Sequence, residues 1–462
     1  MKVSTLFSLL PVLIFLNVKL LAQSNKIVHV SKEDDFFPAE TSVAINPQNP
    51  KNIICAFIAR VKEYKGTTNF TYSSFDGGES WLRVPTANPD ERIEGDDAVA
   101  FGNDGMAYHS YISFYGSWDY NWKRQSSGIY VDASNDGGRT WFRRSVVVDH
   151  INTSAPMEDK PYVIADNSKD SKFKNNVYLA WTHFAVYGSY NHADSSQIYF
   201  SRSVDSGKTF STPMRISDTG GDCIDSSNTV EGAITAVGPE GQVYVVWAGP
   251  KGLVMTESLD GGKTFGANKV IGYIYHGWDK EVPGIGRANG MPVTKIDNSY
   301  GPNRGTIYVN WIDDRNGDPD VFLKYSRDEG KTWSNSIRVN DDKLKNGKYQ
   351  FFTWMAVDPG DGSVNIAFYD RRDYDSTITG LTLARSTDGG KTFVNYKINQ
   401  APFNCSKKLF FGDYIGIDAY NGEVITTYMF FKNEDINGKP RPGTAVNSAI
   451  FHFKPGSQQQ LN

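Results

Sequence analysis

Residues able to do chemistry recur at two kinds of position in this 462-residue chain. Four short segments carry clustered carboxylates or a tyrosine: Arg92–Asp97 (R-I-E-G-D-D), Met157–Lys160 (M-E-D-K), Val230–Gly232 (V-E-G) and Gly412–Tyr414 (G-D-Y). A second group places arginine or histidine at the end of apolar runs: Arg60, His109 in H-S-Y, His183 in T-H-F, Arg315 in D-D-R and Arg372 in Y-D-R-R. Carboxyl, phenol and imidazole groups can move protons, and a guanidinium fork matches a carboxylate in two-point contact. Each has a plainer reading. Arg315 and Arg372 closely follow an Asp and can form local ion pairs worth little. Asp96–Asp97 and Glu158–Asp159 suit strand-entry caps, or the oxygen ligands of a Ca²⁺ ion, the one cofactor the residues admit. His109 and His183 lie among bulky apolar neighbours, which favours packing. The chain has no Cys/His metal spacing, P-loop or G-x-S-x-G segment.

The elements that must position these residues are short strands. Two strand-like runs separated by a turn recur seven times: Thr41–Asn46 and Asn52–Ala59, Asp97–Phe101 and Met106–Ile112, Pro161–Ala165 and Val177–Thr182, Gly232–Val237 and Val243–Trp247, Met291–Ile296 and Ile307–Trp311, Thr353–Val357 and Val364–Tyr369, then Tyr414–Asp418 and Val424–Phe430. The acidic segments stand at entries to first strands, and the Arg and His residues at exits from second strands. All of them therefore fall on one face.

An octapeptide punctuates the pairs: S-F-D-G-G-E-S-W from Ser74, then copies from Ser134, Ser203, Ser258, Ser326 and Ser386. Their aspartates, Asp76, Asp136, Asp205, Asp260, Asp328 and Asp388, are spaced 55 to 69 residues apart. A fixed motif at a near-fixed period signals a repeat architecture. Each copy reads as a hairpin turn: Asp accepts backbone N–H groups, Gly supplies positive φ, and the terminal Trp or Phe folds back over the hairpin. The turns join third to fourth strands, on the face opposite the acidic segments.

These six copies resemble the Asp box (BNR repeat) of the sialidase-like propellers over most of the chain. The resemblance implies an all-β propeller of four-stranded blades. Seven strand pairs favour seven blades over the six of those sialidases; six blades with an extra hairpin is the alternative. After the seventh pair only Ser448–Phe453 remains, with no octapeptide behind it, so Lys26–Val30 is expected to complete the last blade and close the ring.

The family resemblance also implies function. Sialidase-like glycosidases grip a carboxylate with three arginines and use Tyr as nucleophile, tuned by Glu, with Asp as acid/base. In chain order this sequence offers Arg60, Asp97, Glu231, Arg315, Arg372 and Tyr414. It departs from the family in having no R-I-P segment near the start and no Arg soon after Glu231, the next being Arg287. A second reading is similar to the seven-bladed ulvan lyases, with His109, Tyr111, His183 and Arg315 acting on a uronate. A third is a propeller that binds glycan or protein without catalysis. The expected partner is a glycan of the anionic kind that arginines hold, and the expected state a monomer.

Composition sets the remaining bounds. A formal net charge of −4 leaves no large basic surface for nucleic acid. The 25 Tyr and 10 Trp suit strands and sugar stacking alike. Residues 1–22 read as a signal peptide, with Lys2, an apolar run from Leu6 to Val18 and Ala22 before Gln23. Residues 23–462 then form a single exported domain, secreted or periplasmic, without a transmembrane segment. Of three cysteines, Cys55 lies in an apolar run as a buried thiol, while Cys223 and Cys405 lie in loops where pairing is open.

Overall fold

The computed structural model describes residues 25–60, 66–88, 91–115, 126–153, 155–436 and 439–454. Residues 1–22, read above as a signal peptide, lie outside them. Among the described residues no helix is long and apolar enough to cross a membrane.

Seven four-stranded antiparallel sheets form the blades of a closed ring. Blade 1 is Phe36–Ile45, Ile53–Arg60, Thr68–Ser74 and Leu82–Pro85. Blade 2 is Ile93–Phe101, Ala107–Tyr115, Ser126–Ser134 and Arg143–Ile151. Blade 3 is Met157–Ala165, Val177–Phe184, Ser196–Ser203 and Met214–Arg215. Blade 4 is Glu231–Val237, Val243–Gly249, Gly252–Ser258 and Lys269–Gly272. Blade 5 is Val293–Ile296, Ile307–Asp313, Asp320–Ser326 and Ile337–Arg338. Blade 6 is Gln350–Val357, Val364–Asp370, Ile378–Ser386 and Val394–Lys397. In blade 7, Gly416–Tyr420, Glu423–Ile436 and Lys439–His452 are followed by the N-terminal Asn25–His29.

The N-terminal strand therefore closes the ring. It pairs antiparallel with Lys439–His452, Lys26 opposite Ile450 and Val28 opposite Ser448. Closure satisfies an outer edge that would otherwise offer unpaired backbone to other chains.

The six octapeptides share one hydrogen-bond pattern between strands three and four. In each, Ser Oγ donates to Asp Oδ1 at 2.7–2.8 Å. The N–H four residues beyond that Ser donates to its Oγ at 2.8–2.9 Å. The terminal aromatics do not simply fold over their own hairpins. Trp141 of blade 2 donates to Thr71 Oγ1 of blade 1 at 2.8 Å, and Phe265 of blade 4 packs edge-on against Phe200 of blade 3. These two turns thus pin a blade to the one before it.

All three cysteines are buried free thiols. The pairing left open for Cys223 and Cys405 is not formed. Cys223 lies in the blade 3–4 connection, whereas Cys405 packs against Thr379 of blade 6 at 3.2 Å.

Candidate functional site

Five of the innermost strands carry the same irregularity near their entry. The register slips between Ala39 and Ser42, Gly95 and Ala98, Asp159 and Tyr162, Glu231 and Ile234, and Phe351 and Trp354. Within each bulge one residue has positive φ: Glu40, Asp96, Lys160, Gly232 and Phe352. Only Gly232 adopts that conformation at little cost; each of the others costs on the order of 1–2 kcal/mol. A bulge breaks the alternation of side chains, so consecutive residues are re-aimed. Strain of this kind clusters at functional sites.

The bulges gather a charged cluster on the face where first strands begin. Lys160 Nζ lies 3.0 Å from Asp159 Oδ2, 2.9 Å from Glu231 Oε1 and 3.2 Å from Asp413 Oδ2. Arg287, from the blade 4–5 connection, holds Asp413 with two N–H groups, through Nε at 3.0 Å and through Nη2. Its Nη1 donates to Asp225 Oδ2 at 3.2 Å, and the Tyr187 hydroxyl donates to the same oxygen at 2.6 Å. Tyr414 donates to Asp96 Oδ1 at 3.4 Å, and the backbone N–H of Lys160 to Asp96 Oδ2 at 3.3 Å. Beneath the cluster, Tyr162, Trp354 and Tyr414 meet with ring centroids 5.2–5.6 Å apart. Rings from blades 3 and 6 and from the blade 6–7 connection thus floor a narrow recess that Lys160, Asn289 and Asp413 also line.

Acids outnumber bases here, and the protons distribute unequally. Burial pushes Glu40 and Glu231 up to about 8, the charge of Asp413 adding to the first. Burial, then the neighbouring charge of Asp159, lifts Asp96 well above the ordinary range. Burial also works on Asp159 and Asp413, but Lys160 holds the first, and Arg287 with Lys160 the second, below the usual value. Burial and the Glu40 charge keep the Tyr414 hydroxyl protonated. One ammonium therefore touches a carboxyl that keeps its proton, Glu231, and one that has lost it, Asp159. Glu231 Oε2 is buried with no hydrogen-bond partner. Among the described residues no three His, Cys, Asp or Glu are arranged around a metal position. The Lys160 ammonium stands where a cation such as Ca²⁺ would balance these carboxylates.

Of the residues singled out from the sequence, Glu231 and Tyr414 stand in this cluster. Asp97 does not: it points away from its neighbour Asp96 and bonds His109 Nε2 in the fully buried wall between blades 1 and 2. Burial opposes a charged His109 imidazole, but Asp132, 3.7 Å from Nδ1, and Asp97 lift it to about 9. His183 bonds Glu158 at 3.0 Å, a carboxylate shared with His150 and with the Trp181 indole. The three arginines are not brought together. Arg60 is exposed at its strand end. Arg315 is held by Asp313 and packs over Phe322 at 4.2 Å. Arg372 is held by Asp370, Asp341 and Asn395. Sequence reasoning passed over Glu40, Asp225 and the mouth-facing role of Arg287. Asp225 and Arg287 lie in inter-blade connections, where no strand register announces them.

No protein-family model matches the chain, and no curated protein matches it in sequence. Solved structures do resemble it. The endosialidase of phage phi92 superposes with a TM-score of 0.53 at 10% identity, covering 95% of this chain and 71% of that one. The Hadza microbial sialidase Hz136 gives 0.47 at 13%, over 87% and 73% of the two chains. The GH93 α-L-arabinofuranosidase of Fusarium graminearum gives 0.48 at 14%, over 76% and 93%. At such identity the phage likeness speaks for the propeller fold alone.

Proposed function

We propose that this propeller hydrolyses glycosidic bonds at its central mouth, with Glu231 as proton donor and Asp159 as the ionised partner. The observation that carries the reading is that Lys160 Nζ touches both carboxyls, Glu231 Oε1 at 2.9 Å and Asp159 Oδ2 at 3.0 Å, in surroundings that push the first up and hold the second down. Two titratable groups whose surroundings push them apart supply an acid and a base at one pH. Asp413 is less suited to the second role, because Arg287 occupies both its oxygens. In this reading Tyr414 is a hydrogen-bond donor that fixes Asp96, not the nucleophile.

The sialidase-type alternative, an acidic sugar gripped by Arg60, Arg315 and Arg372, has less support, since acids already hold two of the three. The lyase alternative has less support because its histidines are turned from the cluster to other partners, His109 to Asp97 in the wall between blades 1 and 2 and the partly exposed His183 to Glu158. Export to the periplasm or medium rests on the character of residues 1–22 and belongs to the same proposal.

The test is release of reducing sugar from a glycan panel by wild type and by Glu231→Gln and Asp159→Asn variants. Activity lost in both variants, with melting temperature kept, supports the reading. New ultraviolet-absorbing unsaturated ends would instead make the protein a lyase. Binding without any product would leave a binding propeller.

A further inference from the structure

The rim of the mouth carries aromatic rings that are exposed yet held in place. Tyr187, in the loop between the second and third strands of blade 3, is 42% exposed, and Phe410, in the blade 6–7 connection, is 49% exposed. The Tyr187 hydroxyl is tied to Asp225, and its ring meets Phe184 edge-on at 5.1 Å. The Phe410 ring lies 5.6 Å from the Arg287 guanidinium. By blade order these two positions stand on opposite sides of a seven-membered ring. Both are joined to Arg287, Phe410 directly and Tyr187 through Asp225. A large ring that keeps an open face while its other contacts are fixed is a preorganised platform, and the pyranose or furanose faces of sugars are the flat, weakly apolar surfaces that stack on one.

Charge narrows the class further. Six carboxyl groups (Glu40, Asp96, Asp159, Asp225, Glu231 and Asp413) meet two cations in this cluster. Lys160 is spent on three of the acids, and Arg287 on two. The ionised Asp159 and Asp413 already take up both cations, so a uronate or sialate carboxylate would enter beside them without a counter-ion.

We propose that the mouth takes a neutral oligosaccharide laid across the charged cluster, with one sugar ring stacked on Phe410 and another on Tyr187. The substrate is then a chain of at least two sugars, one on either side of the cluster, rather than a terminal acidic sugar. This rests on the hydrolase reading for the place of the reaction, but not for the binding itself.

Calorimetric titration of the full chain decides it, using neutral oligomers of arabinose, xylose, galactose and glucose against oligogalacturonate and sialyllactose. Affinity for one neutral series should rise from the monosaccharide to the trimer and exceed that for both acidic probes. Tyr187→Ala and Phe410→Ala should each weaken binding about tenfold, the value of one aromatic contact. Tyr187→Phe and Phe410→Trp keep a ring at each place and should retain affinity, with melting temperature as the control for folding. Preference for an acidic probe, no binding to any neutral series, or alanine variants that bind like wild type would each overturn the proposal. A protein that binds neutral chains through these rings but releases no sugar upholds it and removes the hydrolase reading instead.

Discussion

The ammonium of Lys160 sits 2.9 Å from Glu231 Oε1, while the other oxygen of that carboxyl is buried without a partner. Blade 3 thus supplies the ammonium that a carboxyl of blade 4 touches, and the two bulges that deliver them depend on each other. Removing the charge should expose that dependence. Lys160→Met leaves Asp159 and Asp413 buried with less compensation, at a cost of about 3–5 kcal/mol near neutral pH. In denaturant unfolding the deficit should shrink toward pH 5, because carboxyls that lose their counter-ion take up protons instead. A variant as stable as wild type at pH 7 would mean that the cluster is solvated and the ammonium incidental.

Glu40 and Glu231 give the fold a pH signature of their own. Both are raised from 4.5 to about 8. Below 4.5 they are protonated whether the chain is folded or not, so burying them costs little. As pH rises from about 4.5 to 8 the unfolded chain ionises first, and stability falls. Asp159 and Asp413 act oppositely: their values are lowered, so their contribution is lost only in acid. A Glu40→Gln, Glu231→Gln double variant should show a flatter melting profile between pH 4.5 and 8. A profile parallel to wild type would place the responsible protons elsewhere.

The seven blades and their closure were legible because they rest on periodicity: alternating short strands, six copies of one turn, and a leftover strand at each end of the chain. The site was legible only to within a residue. Asp96 and Asp97 both stand at a strand entry, and nothing in G-D-D-A says which faces the mouth. The left-handed backbone at Asp96 decides it, turning Asp96 to the cluster and Asp97 to His109. Of the five positive-φ positions in the bulges only Gly232 is a glycine. Lys160 was visible in M-E-D-K beside Asp159, but its other two carboxyls, Glu231 of blade 4 and Asp413 of the blade 6–7 connection, lie far along the chain, a relationship that no local pattern encodes.

Ring closure has a direct test. The strand Asn25–His29 contributes a full ladder to Lys439–His452, and Val30 adds an N–H bond to Val446 at 2.9 Å while burying its side chain. Deleting residues 23–31 should cost several kcal/mol, on the order of 3–5, from lost apolar burial and exposed ladder groups. The melting temperature should drop and the truncated protein should self-associate through the bared edge of Lys439–His452. A truncated chain that melts like the longer one and stays monomeric would show that the seam carries no load.

The turns between third and fourth strands should be separable from the mouth. Asp260 accepts Ser258 Oγ at 2.8 Å, the N–H groups of Lys263 and Thr264 at 2.9 Å, and Thr264 Oγ1 at 2.7 Å. Burial is slight, and these bonds overcome it to hold the carboxylate at about 2, so its contribution fades only as pH falls from 3.8 toward that value. Because the group is only partly buried, solvent screening keeps the loss in Asp260→Ala near that of one net hydrogen bond, about 1 kcal/mol. The turn lies at the opposite end of its blade from Glu231, since it follows the third strand and Glu231 begins the first. Thermal melting should therefore register the substitution, while titration with the glycan that binds wild type should not. A folded Asp260→Ala protein that has lost glycan affinity would move the binding site to the face of the turns, and the charged cluster would then be a structural hub of the ring.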